Sequence, residues 1–291
     1  LQQFSGMTTK RGLRFIRLSV AVIGCGALFA CASQNISQPE TNPARLRVAE
    51  IEACRASLDA AVSPAAGELD AGSIRLVSWN ARKNKHGDWQ RDLESLTRDM
   101  DLVLVQEASL RQDSVTVLDN SRYWSFAPGY RSRGAVSGVL TMSSSKPISQ
   151  CNFVSVEPIL RTPKATSITE YGLTSTDQTL VVVNIHAVNF SMGLGAFQEQ
   201  FNLVRQVLAT HDGPIILSGD FNTWRKKRAA VVDELAASLG LTALGFSQDE
   251  RVKVFGNYLD HIYARGLLLN DSRTEVVNSS DHNALSVTLQ M

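Results

Sequence analysis

From residue 73 to the C-terminus, short apolar runs alternate with amphipathic stretches, the order expected of an α/β protein. Residues 74–79 alternate apolar and polar positions and stop at Asn80, and residues 102–105 form a continuous apolar run that stops at Gln106 and Glu107. Residues 137–142 read as a further strand. Residues 180–185 are strongly β-branched and end in His186, while residues 214–217 lead into Ser218-Gly219-Asp220-Phe221-Asn222. Residues 259–263 carry Asp260 and His261, and Asp281-His282-Asn283 opens a final strand over 284–289. One helix is expected over 88–98, with Asp88 as N-cap and Trp89, Leu93 and Leu96 on one face. Another is expected over 224–239, capped by Thr223 and stopped by Gly240. Residues 44–61 carry a helical period through Leu46, Ile51 and Leu58, followed by a loose stretch to Gly72.

The front of the chain has a different character. Met7 is the expected start; Lys10, Arg11, Arg14 and Arg17 then precede a thirteen-residue apolar run, 18–30. A bilayer-spanning helix needs about twenty residues, so the run fits the short apolar core of a secretory signal better than a membrane anchor. Ala30-Cys31-Ala32 fits cleavage after a small residue, and Leu28-Phe29-Ala30-Cys31 fits a bacterial lipobox that would make Cys31 a lipid-bearing membrane tether. The expected organisation is an export signal over 1–32, a tether with a short helical segment over 33–72, and one catalytic domain over 73–291. The expected location is the bacterial periplasm or envelope.

Composition narrows the class. With 291 residues, 44% of them hydrophobic, the chain can bury a sizeable core, and 19 glycines and 8 prolines exclude collagen-like sequence. Removing the four basic residues of 1–32, which contain no acid, leaves 25 of the 29 basic residues against 28 acidic ones, a net of −3. Such a body does not coat nucleic acid through bulk charge, although a local basic site is compatible with it. Export would leave Cys54 and Cys151 in an oxidising compartment, where they either pair or persist as two separate buried thiols; the sequence leaves both open.

The strand ends carry the candidate chemistry. In layered α/β folds, ligands bind where loops converge beyond the ends of buried strands, and buried charges and amides there need partners. Asp220 and Asn222 flank Phe221 and would project to one side of an extended segment. Asp281-His282 sets a carboxylate beside an imidazole, and Asp260 is a second carboxylate able to orient it, the arrangement general-base catalysis uses. Asn80, Glu107 and Asp281 are oxygen donors suited to a hard cation, Mg²⁺ or Mn²⁺. His261 and His211 read as ordinary packing or surface histidines. Arg225, Lys226, Lys227 and Arg228 crowd the expected first helical turn, where the helix dipole disfavours cations. They are explicable as a rim facing an anionic ligand, with Arg82, Lys83, Lys85, Arg131 and Arg133 adding to it, or as a solvated face. Residues 190–194, Phe-Ser-Met-Gly-Leu, read as an apolar loop for membrane entry or as a lead-in to a helix.

Trp79-Asn80, Gln106-Glu107, Asn184-Ile185-His186, Gly219-Asp220-Phe221-Asn222, Leu259-Asp260-His261-Ile262 and Ser280-Asp281-His282-Asn283 occur in the order of the endonuclease/exonuclease/phosphatase superfamily, which the chain resembles from about residue 74 onward. Gly219 to Trp224 and the basic run after it resemble an uncharacterised bacterial branch. The resemblance implies a four-layered α/β sandwich, two mixed sheets face to face with helices outside. It implies metal binding by Glu107, Asn80 and Asp281; water activation shared between Asp220 and His282; and Asp260 behind His282. It further implies that Asn222 holds a phosphoryl oxygen and that His186 contacts phosphate or protonates the leaving oxygen. Some members place an Asp two residues after the first Asn, where this chain has Arg82, so a second metal site loses its ligand. The function this implies is in-line hydrolysis of a phosphate ester by a monomer, with DNA first among the substrates. Lipid or inositol-phosphate headgroups come next, and a non-catalytic envelope binding protein is the reading from another class. Lys83, Arg133 and Arg225 are the candidate substrate-binding cations.

Overall fold

The computed structural model describes residues 43–58, 67–84, 87–110, 122–132 and 134–291. The signal-like segment, Cys31, Lys85 and Arg133 lie outside the described residues. In chain order the first elements are α1 (Pro43–Leu58), β1 (Glu68–Leu69), β2 (Ile74–Asn80), α2 (Trp89–Thr97), β3 (Leu102–Leu110), β4 (Tyr123–Ser132), β5 (Ala135–Ser143) and β6 (Ser149–Val156). Then come β7 (Pro163–Leu173), β8 (Thr179–His186), α3 (Gly195–Leu208), β9 (Ile215–Asp220) and α4 (Lys226–Leu239). The chain closes with β10 (Thr242–Ala243), a small hairpin of β11 (Lys253–Val254) and β12 (Asn257–Tyr258), then β13 (Asp260–Arg265), β14 (Leu268–Glu275) and β15 (Ala284–Gln290).

Two mixed sheets result. One runs β1-β7-β8-β9-β13-β10, with β6 also on β7; the other runs β14-β15-β2-β3-β5-β4. Each has one parallel pair near its middle, β8 with β9 and β2 with β3. The period-two pattern of these strands sorts their side chains into layers. Ile74, Leu76, Leu102 and Leu104 of one sheet meet Leu180, Val182 and Ile216 of the other in a buried cluster between the sheets. The alternate residues face outward. Val77, Trp79, Val103 and Val105 pack with Leu93 and Leu96 of α2. Val181, Val183, Ile185, Ile215 and Leu217 pack with residues of α1, α3 and α4, among them Ile51, Phe197 and Leu235. Helices therefore cover both outer faces, and the four-layered sandwich expected from the sequence is the architecture found.

Along the inner face the residues become polar toward the strands' C-terminal ends. Beyond the leucines come Ser78, Gln106, Asn184 and Ser218, all buried. Gln106 Nε2 donates to Asn184 Oδ1 at 2.8 Å and reaches Ser78 Oγ at 3.3 Å, while Asn184 Nδ2 donates to the Leu140 carbonyl at 3.0 Å. The Gln106–Asn184 and Asn184–Leu140 bonds fasten one sheet to the other, while Gln106 Oε1 stays buried without a partner. One step further along stand Asn80, His186 and Asp220.

Several local expectations change. Strand β3 does not stop at Val105; it continues to Leu110 through an irregularity between Val105 and Ala108, with Glu107 at φ +52°. The bulge brings Glu107 into the cleft, although strict alternation from Val105 would have sent it outward. Asp88 stands at the N-cap of α2 but in a helical conformation, with no side-chain cap; its carboxylate lies 3.4 Å from Arg91 instead. Residues 43–58 form the expected helix, and it is docked: Ile51, Cys54 and Leu58 join the core, and Cys54 is bridged to Cys151 of β6. Residues 68–69 add a short parallel strand to β7. The folded body thus begins well before residue 73.

Candidate active site

A cleft of about 320 Å³ opens beyond the C-terminal ends of β2, β3, β8 and β9. Asn80, Lys83, Glu107, His186, Asp220, Asn222, Asp281 and His282 all line it. Eight of the eleven residues singled out in the sequence are therefore brought together. Asp260 stands directly behind His282, Arg133 lies outside the described residues, and Arg225 is elsewhere.

Asp220 is the hub. Its Oδ2 accepts from Asn80 Nδ2 at 3.0 Å, and its Oδ1 accepts from the Asn222 backbone N–H at 2.9 Å. Gly219, at φ +146°, makes this placement possible: a Cβ there would stand 2.0 Å from the Ile185 carbonyl oxygen on the parallel neighbour β8. Burial pushes the Asp220 carboxyl above the usual range, and Asp260 reinforces the rise while His282 opposes it. Asn222, at φ +51°, donates its amide hydrogens to the Ala187 carbonyl at 3.0 Å and to Asp220 Oδ2 at 3.4 Å. Both amide hydrogens of Asn222 thus face Ala187 and Asp220 in this structure.

His282 Nδ1 lies 2.7 Å from Asp260 Oδ2, which fixes Nδ1 as a donor and turns Nε2 toward the cleft. Burial alone would lower this imidazole. The charge and hydrogen bond of Asp260 outweigh it, helped by Asp220 and Asp281, and the ring is raised to about 10. The carboxylates around His282 thus favour its charged form. His186 is the opposite case. Burial, together with Lys164, His282 and Lys83, holds it well below the ordinary value. Its neutral Nε2 accepts from Lys164 Nζ at 2.9 Å and lies 3.7 Å from Glu107 Oε1 and 3.6 Å from Asp220 Oδ2.

Lys164 and Glu157 escaped the sequence reading. Lys164 lines the cleft from the start of β7, and its Nζ is 3.7 Å from the buried carboxylate of Glu157. Glu157 also accepts the backbone N–H groups of Asn189 and Phe190, at 2.8 and 3.3 Å. A single lysine following Thr162-Pro163 resembles any turn; only the antiparallel pairing of β7 with β8 carries it to His186.

The basic run after Asn222 is used differently from the expected rim. Helix α4 starts at Lys226, two residues later than expected, and Thr223 is no cap: its Oγ1 donates to the Tyr258 carbonyl and lies 2.7 Å from His261 Nε2. Arg225, at the extended N-cap position, lays its guanidinium 4.1 Å over the Trp224 ring. Arg228 is buried and donates to the carbonyls of Val188, Asn222 and Asn189, tying the loops at the cleft together. His261 is a packing histidine, as expected.

The donor chemistry fits a hard divalent cation. The Glu107 carboxylate and the Asn80 carboxamide oxygen come from neighbouring strands, and Asp281 lines the same cleft. Among the described residues no three His, Cys, Asp or Glu groups are already gathered as a metal cluster. Glu107 instead faces Lys83 at 3.9 Å, and Asp281 faces Arg82 at 3.3 Å, both through half-exposed cations able to swing aside.

The comparisons agree with this geometry. Residues 77–282 match the model of the endonuclease/exonuclease/phosphatase family. A UPF0294 protein from Vibrio campbellii is 34% identical over 222 residues, 76% of this chain and 78% of the relative. A UPF0294 protein from Klebsiella pneumoniae is 38% identical over 229 residues, 78% of this chain and 86% of the relative. Among solved structures, an endonuclease/exonuclease/phosphatase family protein from Leptotrichia buccalis aligns with a TM-score of 0.57 at 15% identity, covering 75% of this chain and all of that one. The D. rerio TDP2 complexed with single strand DNA product aligns at 0.55 and 17% identity, covering 75% and 99%. These structural likenesses share the fold; the family-model match extends through both ends of the cleft, from β2 to His282, and the chain belongs to the endonuclease/exonuclease/phosphatase family.

Proposed function

We propose that this protein is a divalent-metal-dependent phosphodiesterase that cleaves phosphate esters by in-line attack of water. The observation that carries the reading is the convergence of Asp220, His186, Glu107 and the Asp260–His282 pair on one cleft from five separate stretches of sequence. Glu107 and Asn80, with Asp281, would hold the metal, which when bound supplies positive charge to the phosphoryl oxygens. Asp220, fixed by three N–H donors and raised by burial, orients the attacking water and takes its proton. The His282 imidazolium points Nε2–H at the oxygen on which charge develops, and Asp260 keeps it there. Lys164, anchored by Glu157, offers N–H donors on the His186 side, a role the family resemblance also implies for Asn222.

Family membership supports phosphoester hydrolysis; the substrate is our inference. The single-strand DNA product bound by the TDP2 neighbour favours a nuclease. Against a long DNA footprint stands the position of Arg228, buried and committed to three carbonyls. The Cys54–Cys151 bridge supports an exported protein, because such bonds persist in oxidising compartments. The reading is tested with purified protein on bis(p-nitrophenyl) phosphate, plasmid DNA and phospholipid vesicles, with Mg²⁺ or with EDTA. Turnover should vanish in EDTA and fall at least about a hundredfold in Asp220→Asn and His282→Ala, with circular dichroism unchanged. Undiminished turnover in a folded His282→Ala protein would refute the assignment.

A further inference from the structure

The cleft's outer rim is unusually apolar. Ile159 and Leu160, on the turn between β6 and β7, are 54% and 56% exposed; Phe190 and Met192, on the loop after β8, are 51% and 87% exposed. Phe255, at the tip of the β11–β12 hairpin, is 83% exposed. Three separate loops contribute, and the structure fastens them to one another. Glu157 accepts the N–H groups of Asn189 and Phe190, joining the first two loops, and Leu160 and Phe190 line the cleft together. Trp224 Nε1 donates to Asn189 Oδ1 at 3.0 Å, and the Phe255 ring packs on Trp224 with centroids 6.2 Å apart, joining the third. Single exposed apolar residues are ordinary, but large ones grouped around one opening mark a contact surface.

Exposed cations accompany them. Arg161 follows Leu160, Arg225 lies over Trp224, and Lys253 precedes the hairpin tip, its Nζ 4.5 Å from the Tyr258 ring centroid. Aliphatic and aromatic tips backed by cations complement a bilayer with anionic headgroups: the tips enter the acyl boundary while the cations remain with the phosphates. A base-stacking platform would be built of aromatic faces. Here the most exposed side chain is Met192, and Ile159 and Leu160 have no π-face at all. Within the same cleft, Lys83 and Lys164 lie beside the candidate catalytic groups.

We propose that this rim docks on an anionic phospholipid surface and that the cleft acts on phosphate diesters presented there, an inference that rests on the phosphodiesterase reading for its second half only. The test uses the full chain in EDTA, so that binding is read without cleavage. Vesicles of phosphatidylcholine, with or without phosphatidylglycerol, carry bromine on their acyl chains, and Trp224 emission is isolated as the difference from Trp224→Phe. This local readout is indifferent to any tether at the N-terminus. Quenching is expected with the phosphatidylglycerol vesicles. The Met192→Asp/Phe255→Asp variant should bind them at least about a hundredfold more weakly, since two inserted side chains are lost. Ile159→Asp, on a different loop, should weaken binding by about tenfold. Aspartate tolerates the positive φ of Phe255 (+50°), and none of these three residues lines the cleft, so hydrolysis of bis(p-nitrophenyl) phosphate with Mg²⁺ should stay within twofold.

No quenching with either vesicle, or quenching that both variants retain, overturns the proposal. So does a single-stranded oligonucleotide that shifts Trp224 emission and loses affinity in the same variants while vesicles leave it unchanged. Insertion by a protein that cleaves no diester with any divalent cation supports the docking surface and overturns the enzymatic reading instead.

Discussion

The bridge between Cys54 on α1 and Cys151 on β6 offers a quantitative test of what holds the fold together. It spans a sequence separation of 97 residues, with Cα atoms 5.5 Å apart. In the chain-entropy treatment, closing a loop of that length removes about 16 cal/mol/K from the unfolded chain, roughly 4.7 kcal/mol at 25 °C. The helix has other anchors. Ile51 and Leu58 are buried in the core shared with α3 and α4, and Arg55 donates to the Gln206 carbonyl on α3. Burial of the two aliphatic chains stabilises docking by about 1.5–3 kcal/mol each. Helix α1 should therefore stay docked without the bridge, while the global unfolding equilibrium shifts. In urea titrations, Cys54→Ala/Cys151→Ala should lower the unfolding free energy by about 4–5 kcal/mol. Reductant should reproduce that loss in the parent protein and do nothing to the variant. No residue of α1 or β6 lines the cleft, so diester hydrolysis without denaturant should be unchanged. A fully reduced parent protein, its thiols counted by titration, that unfolds at the same midpoint as the oxidised one would refute the reasoning.

Other consequences follow from single contacts. Gly219→Ala forces a Cβ against the Ile185 carbonyl at a φ open essentially to glycine, and should cost about 3 kcal/mol or more; in thermal unfolding an unchanged Tm would contradict the strain argument. Gln106→Leu and Asn184→Leu each leave the partner amide buried without its bond, a loss of about 1–3 kcal/mol apiece. The double variant should lose less than their sum, and strict additivity in the cycle would show that the amides act independently. Burial is the main cause that holds His261 down to about 4. The unfolded chain then binds the extra proton first, so this contribution is full above about pH 6.5 and disappears as pH falls toward 4, about 3 kcal/mol in all. His261→Gln should flatten that part of the pH–stability curve, and a variant curve parallel to the parent's would disprove it.

How far the sequence discloses this site depends on how each residue reaches it. Asn80, His186 and Asp220 are legible because they continue a period of two: an aliphatic residue, then serine or asparagine, then a residue of the cleft, on strands whose inner faces must be apolar until they meet water. Glu107 was legible from its place after an apolar run, but not its geometry, since a bulge at φ +52° overrides the alternation that would point it outward. Asp260 and His282 are 2.7 Å apart and 22 positions apart in the sequence, and only the paired Asp-His dipeptides hint at it. Lys164 left no such trace, because a lone lysine has no period and its meaning comes from β7 pairing with β8. The basic run after Asn222 is ambiguous for the converse reason. Four adjacent cations look like one surface, yet a helix turns them through different directions: Arg225 stacks outward on Trp224 while Arg228 goes inward to three carbonyls. That division bears on substrate. A guanidinium that closes the cleft wall from behind cannot also follow a polyanion along the surface, and the charge left at the mouth is sparse and interleaved with Met192, Phe190 and Leu160. If the protein is the phosphodiesterase proposed, such a mouth suits one phosphate diester at a time, at a boundary where the rest of the ligand is oily.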